Sequence, residues 1–184
     1  IGKGPGARTI VMDLPAFTLI AATTRVSLLS APLRSRFGAT FKLDYYDVSH
    51  VETILRRSAS LMNLKIDNEA LRLLATASRS TPRVANRLLK RTRDYAQVLD
   101  LSLVTKEVAL KSLDLLEVDE MGLEPPDRKL LEIIINKFNG GPVGLSTLAA
   151  ALNDDRGTIE EVYEPYLMSL GYLQRTPLGR VVMP

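Results

Sequence analysis

Three groups of arginines in this 184-residue chain have the type and spacing to hold phosphate. Arg34 and Arg36 follow the Pro32-Leu33 pair, Arg83 comes directly after Pro82, and Arg156, Arg175 and Arg180 lie in the last thirty residues. A guanidinium presents a planar fork of donors that matches phosphate oxygens two at a time and never loses its charge. Arg83 has a second advantage, because Thr81-Pro82 reads as the opening of a helix, whose first amides and positive dipole end favour an anion. Taken alone, an arginine in a turn is more often a surface residue, and Arg87, Lys90, Arg91 and Arg93 beyond Arg83 read as a solvated basic face. Other chemistries are excluded by composition. There is no cysteine for a disulfide, a thiol nucleophile or a zinc site, and a single histidine, His50, argues against any histidine-rich metal centre. His50 falls on a predicted helix among polar neighbours and reads as a solvated or half-buried residue.

The elements that must position these arginines change character along the chain. Residues 1–119 carry 18 Lys+Arg against 12 Asp+Glu, leaving +6, whereas residues 120–184 carry 6 against 9, leaving −3. A hydrophobic content of 46% suffices for packed cores. No apolar run approaches the roughly 20 residues that span a bilayer, and no secretory signal is present, so a soluble, cytoplasmic protein without membrane partners is expected.

Residues 8–13 alternate polar and apolar after the turn made by Gly2, Gly4 and Gly6, and suggest a hairpin arm. Phe17–Ala22 is a continuous apolar run bounded by Pro15 and Thr23, which predicts a buried strand of a parallel sheet. From Asp47 the period becomes helical. Val51, Ile54, Leu55, Ser58, Leu61 and Met62 form one stripe. Asp67 caps a second helix bearing Ala70, Leu71, Leu74 and Ala77; a third runs from Thr81-Pro82 to Leu99; Thr105 caps a fourth. Four short helices without strands predict a small bundle.

An acidic, Pro-containing linker over Glu117–Pro126 leads to a helix marked by Leu130, Leu131, Ile134, Ile135 and Phe138, which stops at Gly140-Gly141. A short helix, Ser146–Leu152, comes next, and a turn, Asn153–Gly157, follows it. Thr158-Ile159-Glu160-Glu161 has the spacing of a capping box and opens a helix ending near Gly171. Tyr172–Thr176, Pro177-Leu178-Gly179 and Arg180–Met183 then read as strand, turn and strand. Three helices closing on a hairpin give the order of a winged helix. Its third helix bears Glu160, Glu161 and Glu164, which the phosphate ridges of a groove would repel. DNA contact is therefore expected from Arg156, Arg175 and Arg180, sequence-neutral and through phosphates. An acidic winged helix is equally compatible with a protein-binding module.

Specific motifs then resemble the RuvB family of AAA+ ATPases along essentially the whole chain. Phe17-Thr18-Leu19-Ile20-Ala21-Ala22-Thr23-Thr24 followed by Ala31-Pro32-Leu33-Arg34-Ser35-Arg36-Phe37-Gly38 is similar to the sensor 1 and arginine-finger elements; Arg79-Ser80-Thr81-Pro82-Arg83 resembles the sensor 2 helix; Gly140-Gly141-Pro142-Val143-Gly144, Glu164-Pro165-Tyr166-Leu167 and Arg175-Thr176-Pro177-Leu178-Gly179-Arg180 resemble the family's winged helix. The resemblance implies an α/β remnant of an AAA+ ATPase core over 1–44, an all-α lid bundle over 45–119 and a winged-helix DNA-binding domain over 120–184. It implies Thr24 as sensor 1 and Arg36 as the finger reaching a neighbour's ATP, where a guanidinium offsets charge on the γ-phosphoryl oxygens. Arg34 stays a rival. Arg83 would contact nucleotide in its own subunit, with Tyr46 and Pro82 at the adenine pocket, although an isolated tyrosine there is more often core.

The implied function is an ATP-dependent helicase motor, a homohexamer on double-stranded DNA that drives Holliday junction branch migration with RuvA in DNA repair and recombination. Ile10 and Met12 map to the implied RuvA contact, unless they face the sheet core. The cofactor would be ATP or ADP with Mg2+. Departures are Ser80 where the family usually has Gly, Leu178 where Arg is common, and Ala21 where Gly is common. No GxxxxGK followed by Ser or Thr occurs and the chain starts without Met, so it is expected to be a C-terminal fragment, inactive alone and without the Mg2+ ligands. The alternatives are an AAA+ origin-recognition or clamp-loader-like subunit, or a winged-helix regulator.

Overall fold

The computed structural model describes residues 15–23 and 25–183. The chain divides into two compact units, Ile1–Leu43 and Asp44–Pro184. Among the described residues of the first unit, regular structure is confined to a 3-10 turn, Val26–Leu28, and a one-turn helix α1, Ala31–Arg34, with Pro32 in its first turn. The strand expected over Phe17–Ala22 is not formed: Phe17, Leu19 and Ile20 are 69%, 59% and 89% exposed. A parallel strand needs neighbours on its edges and layers on both faces, and the described residues of this unit supply neither. The hairpin expected over residues 8–13, with Ile10 and Met12, lies outside the described residues, as does Thr24.

The second unit begins with four helices, α2 (Val48–Leu61), α3 (Asn68–Thr76), α4 (Pro82–Val98) and α5 (Lys106–Leu115). Their starts follow from the expected caps. The Asp67 carboxylate accepts the Ala70 N–H at 2.6 Å, and the Thr105 hydroxyl accepts the Val108 N–H at 3.4 Å. Val51, Leu55, Leu71, Leu74, Leu88, Leu89 and Leu113 build the core, each at most 1% exposed. Leu61 was expected on the α2 stripe and is instead 75% exposed, while Ala59 is buried. At 3.6 residues per turn, Leu61 points about 120° away from Leu55, whereas Ala59 lies one turn above it. The buried hydroxyls of this core are satisfied: Ser112 Oγ donates to Thr92 Oγ1 at 3.1 Å, which donates to the Leu88 carbonyl at 3.0 Å. The α2–α3 and α4–α5 loops are tied by Asp67 N–H to Val104 O (3.0 Å) and Val104 N–H to Lys65 O (2.9 Å).

The segment Glu117–Pro126, expected to be a linker, is folded into this unit. Val118 and Leu123 are buried, and the Asp119 carboxylate accepts the N–H groups of Leu123 (2.7 Å) and Met121 (3.0 Å). Helix α6 (Pro125–Phe138) opens on a capping box between Glu124 and Asp127. It is followed by α7 (Leu145–Leu152), and then by a continuous helical stretch made of α8 (Arg156–Thr158), a π turn (Ile159–Tyr163) and α9 (Glu164–Ser169). The capping box expected at Thr158 is not the start of this stretch. Asp155 caps it, its carboxylate taking the Thr158 N–H at 2.8 Å and the Thr158 hydroxyl as well. These bonds hold the Asp155 carboxyl below its ordinary pKa, because they stabilise the charged form. The π turn accommodates Pro165, which has no N–H to donate to the preceding turn.

Strands β1 (Leu173–Thr176) and β2 (Gly179–Val182) pair antiparallel, with Arg175 opposite Arg180. Val143 adds a short third rung, exchanging hydrogen bonds with Arg180 at 2.9 and 2.8 Å. Gly179 is required there, at φ +141° with an added Cβ only 2.5 Å from the Val143 carbonyl oxygen. Leu130, Ile134, Leu148, Ile159 and Leu167, none of them more than 0% exposed, form the second core.

Candidate nucleotide and nucleic-acid sites

The start of α4 has the features of an anion-binding end. Arg79 and Ser80 both adopt left-handed backbone, φ +54° each, and turn the chain sharply into Thr81 and Pro82. Ser80 therefore occupies a conformation that suits Gly, which gives the family's usual residue there a physical reason. The Thr81 side chain donates to the Arg79 carbonyl at 3.0 Å and does not cap the helix. The first-turn amides of α4 thus have no side-chain acceptor, and the exposed Arg83 makes no side-chain bond among the described residues. The Tyr46 N–H donates to the Ser80 carbonyl at 3.4 Å, which brings the half-exposed Tyr46 beside the same turn as Pro82. The His50 ring stands edge-on to Tyr46 at 6.5 Å and its Nδ1 is 3.8 Å from Asp47, on an exposed surface as expected.

Farther along α4, Arg83, Arg87, Lys90 and Arg91 border a shallow concavity. Arg87 reaches Glu124 at 3.3 Å, and Arg91 and Arg93 reach Asp94 at 3.6 and 2.7 Å. In the first unit, Arg34 and Arg36 are both exposed at the end of α1, so their geometry favours neither as the finger.

The three arginines expected at the DNA surface have different surroundings. Arg156 is exposed at the head of the third helical stretch and makes no side-chain hydrogen bond or ion pair among the described residues. Arg175 and Arg180, opposite one another on the hairpin, both turn onto Glu164, which is 0% exposed. Arg180 Nε donates to Glu164 at 2.7 Å and its terminal nitrogen to Glu160 at 2.8 Å. Burial alone would lower the Arg180 pKa, but the Glu164 and Glu160 carboxylates outweigh it and hold the guanidinium above its ordinary value. Arg175 donates from Nε to Glu164 and reaches the Glu160 carbonyl at 3.2 Å, with 44% of its side chain exposed against 14% for Arg180. Arg180, expected to hold phosphate, is thus committed to carboxylates. The same pairing neutralises two of the three glutamates that made the third helix look repellent to DNA. Leu178, at the wing tip, is 81% exposed.

Sequence reasoning gave no role to Arg79, Asp127 and Tyr166, which the structure gathers into one cluster between the two cores. Arg79 pairs with Asp127, its guanidinium carbon stands 4.8 Å from the Tyr166 ring centre, and its Nε donates to the Gly122 carbonyl at 2.7 Å. The E-P-P-D spacing at 124–127 is a capping-box signal for Asp127; nothing local marks its partner. No helix among the described residues is long and apolar enough to cross a membrane.

Comparisons with known proteins agree along the chain. A family description of the "Holliday junction DNA helicase RuvB P-loop domain" matches residues 1–43, the "RuvB AAA lid domain" residues 46–119, and the "RuvB C-terminal winged helix domain" residues 120–184. The "Holliday junction branch migration complex subunit RuvB" of Dehalococcoides mccartyi (strain CBDB1) is 56% identical over 180 residues, covering 98% of this chain and 52% of that protein. The solved Thermotoga maritima "RuvB Holliday junction branch migration motor" superposes with a TM-score of 0.77 at 47% identity, over 85% of this chain and 53% of its own. A point mutant of the same Thermotoga protein gives 0.78 at 48% identity, over 88% and 54%. The chain spans about half the length of these relatives. With RuvB domains matched in order from its first unit to its wing, the chain belongs to the RuvB family.

Proposed function

We propose that this chain supplies the lid and the DNA-holding domain of an ATP-driven motor that moves Holliday junctions, with RuvA, in recombination and repair. The observation that carries the reading is the uncapped N-terminus of α4, with Arg83 open beside it, built into the same compact unit as a winged helix. A nucleotide suits the residues present: the uncapped first-turn amides and the Arg83 guanidinium can donate to phosphate, and the half-exposed Tyr46 ring beside Pro82 can take a base. When bound, ATP supplies the free energy of phosphoryl transfer. Arg83 then binds phosphate within its own subunit, and Tyr46 and Pro82 orient the adenine. Arg36, or Arg34 in its place, stabilises charge on a neighbouring subunit's nucleotide, and Thr24 positions the attacking water. No Mg2+ ligand is assigned to this chain.

Duplex DNA is held through phosphates, chiefly by Arg156 and by the exposed part of Arg175, while Arg180 acts indirectly by fixing the wing to the third helix. Ile10 and Met12 are proposed to meet RuvA. The working assembly is a cytoplasmic ring of six subunits. The test is ATP-dependent migration of a synthetic four-way junction by the intact parent protein with RuvA. Junction movement that needs both ATP and RuvA supports the reading; a protein that binds duplexes but never moves a junction contradicts it.

A further inference from the structure

Several contacts tie lid to winged helix, among them Arg128 to the Glu117 carbonyl at 3.1 Å, and the most buried of the ion pairs across this junction is made by one lid side chain, Arg79. Arg79 lies in the turn between α3 and α4, four residues before Arg83, and the left-handed pair Arg79-Ser80 sends its side chain toward the second core. Its Nε donates to the Gly122 carbonyl at 2.7 Å, its terminal nitrogen pairs with Asp127, and its guanidinium stacks over Tyr166 at 4.8 Å. The Tyr166 hydroxyl donates to the Met121 carbonyl. One residue of the lid thereby touches the 119–123 turn, the first turn of α6, and α9.

The surroundings make this fastening stiff. Arg79 and Asp127 are 17% and 1% exposed at their side chains, so water competes little for either charge. Asp127 Oδ2 also accepts the Glu124 N–H at 2.8 Å, which fixes the carboxylate to the start of α6, and Oδ1 is buried with no other partner. The turn itself leaves no slack. Gly122 sits at φ +81° with an added Cβ only 2.5 Å from the Ala77 carbonyl oxygen, so the backbones on the two sides are in contact. Arg87 to Glu124 at 3.3 Å is a second, more exposed tie along the same edge.

We propose that Arg79 is the positioning residue that joins lid and winged helix into one rigid arm, so that displacement of the Arg83 end of α4 is delivered directly to the DNA-holding domain. A flexible tether of the same length would absorb that displacement as linker motion. The planar fork matters, because it reaches the Gly122 carbonyl and Asp127 together while its central carbon stands 4.8 Å over the Tyr166 ring. A lysine can satisfy only one of these. The mechanical meaning rests on the proposed motor function, whereas the rigid arm does not.

The test reads the two parts separately. In this chain, backbone 15N relaxation should give one tumbling time for residues 46–119 and 123–183; in Arg79→Ala it should split into two shorter times, with each core keeping its own chemical shifts. Arg79→Lys should not restore the single time. Tyr166→Leu, which keeps the buried pair, should loosen the arm less and covers the case in which Arg79→Ala does not fold. Two tumbling times in the unaltered chain, or one time retained in Arg79→Ala, would overturn the proposal. In the intact parent, Arg79→Ala should lower junction movement per ATP about tenfold while ATP turnover and duplex affinity change less than about twofold. A proportionate fall in all three would also overturn it. A rigid arm in a parent that moves no junction would instead refute the motor reading and leave the arm standing.

Discussion

Replacing Arg180 by alanine separates the two roles a wing arginine can have. Arg180 joins β2 to the fully buried Glu164 at 2.7 Å and to Glu160 at 2.8 Å, with 14% of its side chain exposed. Breaking a buried pair by removing one partner costs about 3–5 kcal/mol. Because Arg175 still pairs with Glu164, the loss belongs at or below the low end, about 2–3 kcal/mol. In a cooperative unit of this size that lowers the melting temperature by about 10 °C. Loss of a phosphate contact instead flattens the salt dependence of duplex binding by about 0.9 in slope. Calorimetry and duplex titrations across a salt series, at a temperature where each variant is folded, therefore distinguish the roles. Arg180→Ala should melt early and keep the unaltered slope. Arg156→Ala, an exposed change, should keep its melting temperature and lose about 0.9 in slope on any duplex sequence. A flattened slope with no thermal loss in Arg180→Ala would refute the reasoning and return Arg180 to the DNA surface.

Ser80→Gly removes a side chain from a left-handed position and should raise stability by about 1 kcal/mol in denaturant unfolding. Tyr163 donates to Asp154 at 2.7 Å, and this bond to a carboxylate, aided by burial, pushes its pKa up to about 12. Since the folded value lies above the unfolded one, its contribution is full below about pH 10 and is lost as the pH rises through about 12. Absorbance titration of phenolate should show this late step and its disappearance in Tyr163→Phe. In the intact parent, Arg36→Ala should bind ATP and fail to hydrolyse it, and mixing with a P-loop mutant should restore some turnover; normal hydrolysis would transfer the finger role to Arg34.

The second unit was largely legible because its signals are local. The Asp67 and Thr105 caps, Pro82 at the head of α4, and the Thr176–Gly179 turn each act within about four residues, and the structure uses all of them. What escaped depends on distant partners. Phe17–Ala22 has the composition of a buried strand, but pairing edges are not encoded in the run itself. Asp155 displaced Thr158 as the cap because two adequate acceptors stood three residues apart and the first begins the helix. The Arg180–Glu164 and Arg79–Asp127 pairs join residues 16 and 48 positions apart, and no periodicity announces such a pairing. The consequence falls on function. Charge read along the sequence made the third helix repellent and the wing attractive to DNA, whereas side-chain pairing neutralises Glu160 and Glu164 of that helix and commits Arg180 of the wing to them.

The central claim is that the open end of α4 and the winged helix belong to one nucleotide-driven junction motor, and Arg83→Ala in the intact parent tests it most directly. Measured on a synthetic four-way junction with RuvA and ATP, the variant should bind the junction with the affinity of the unaltered protein and fail to move it. Junction movement at the unaltered rate would contradict the account.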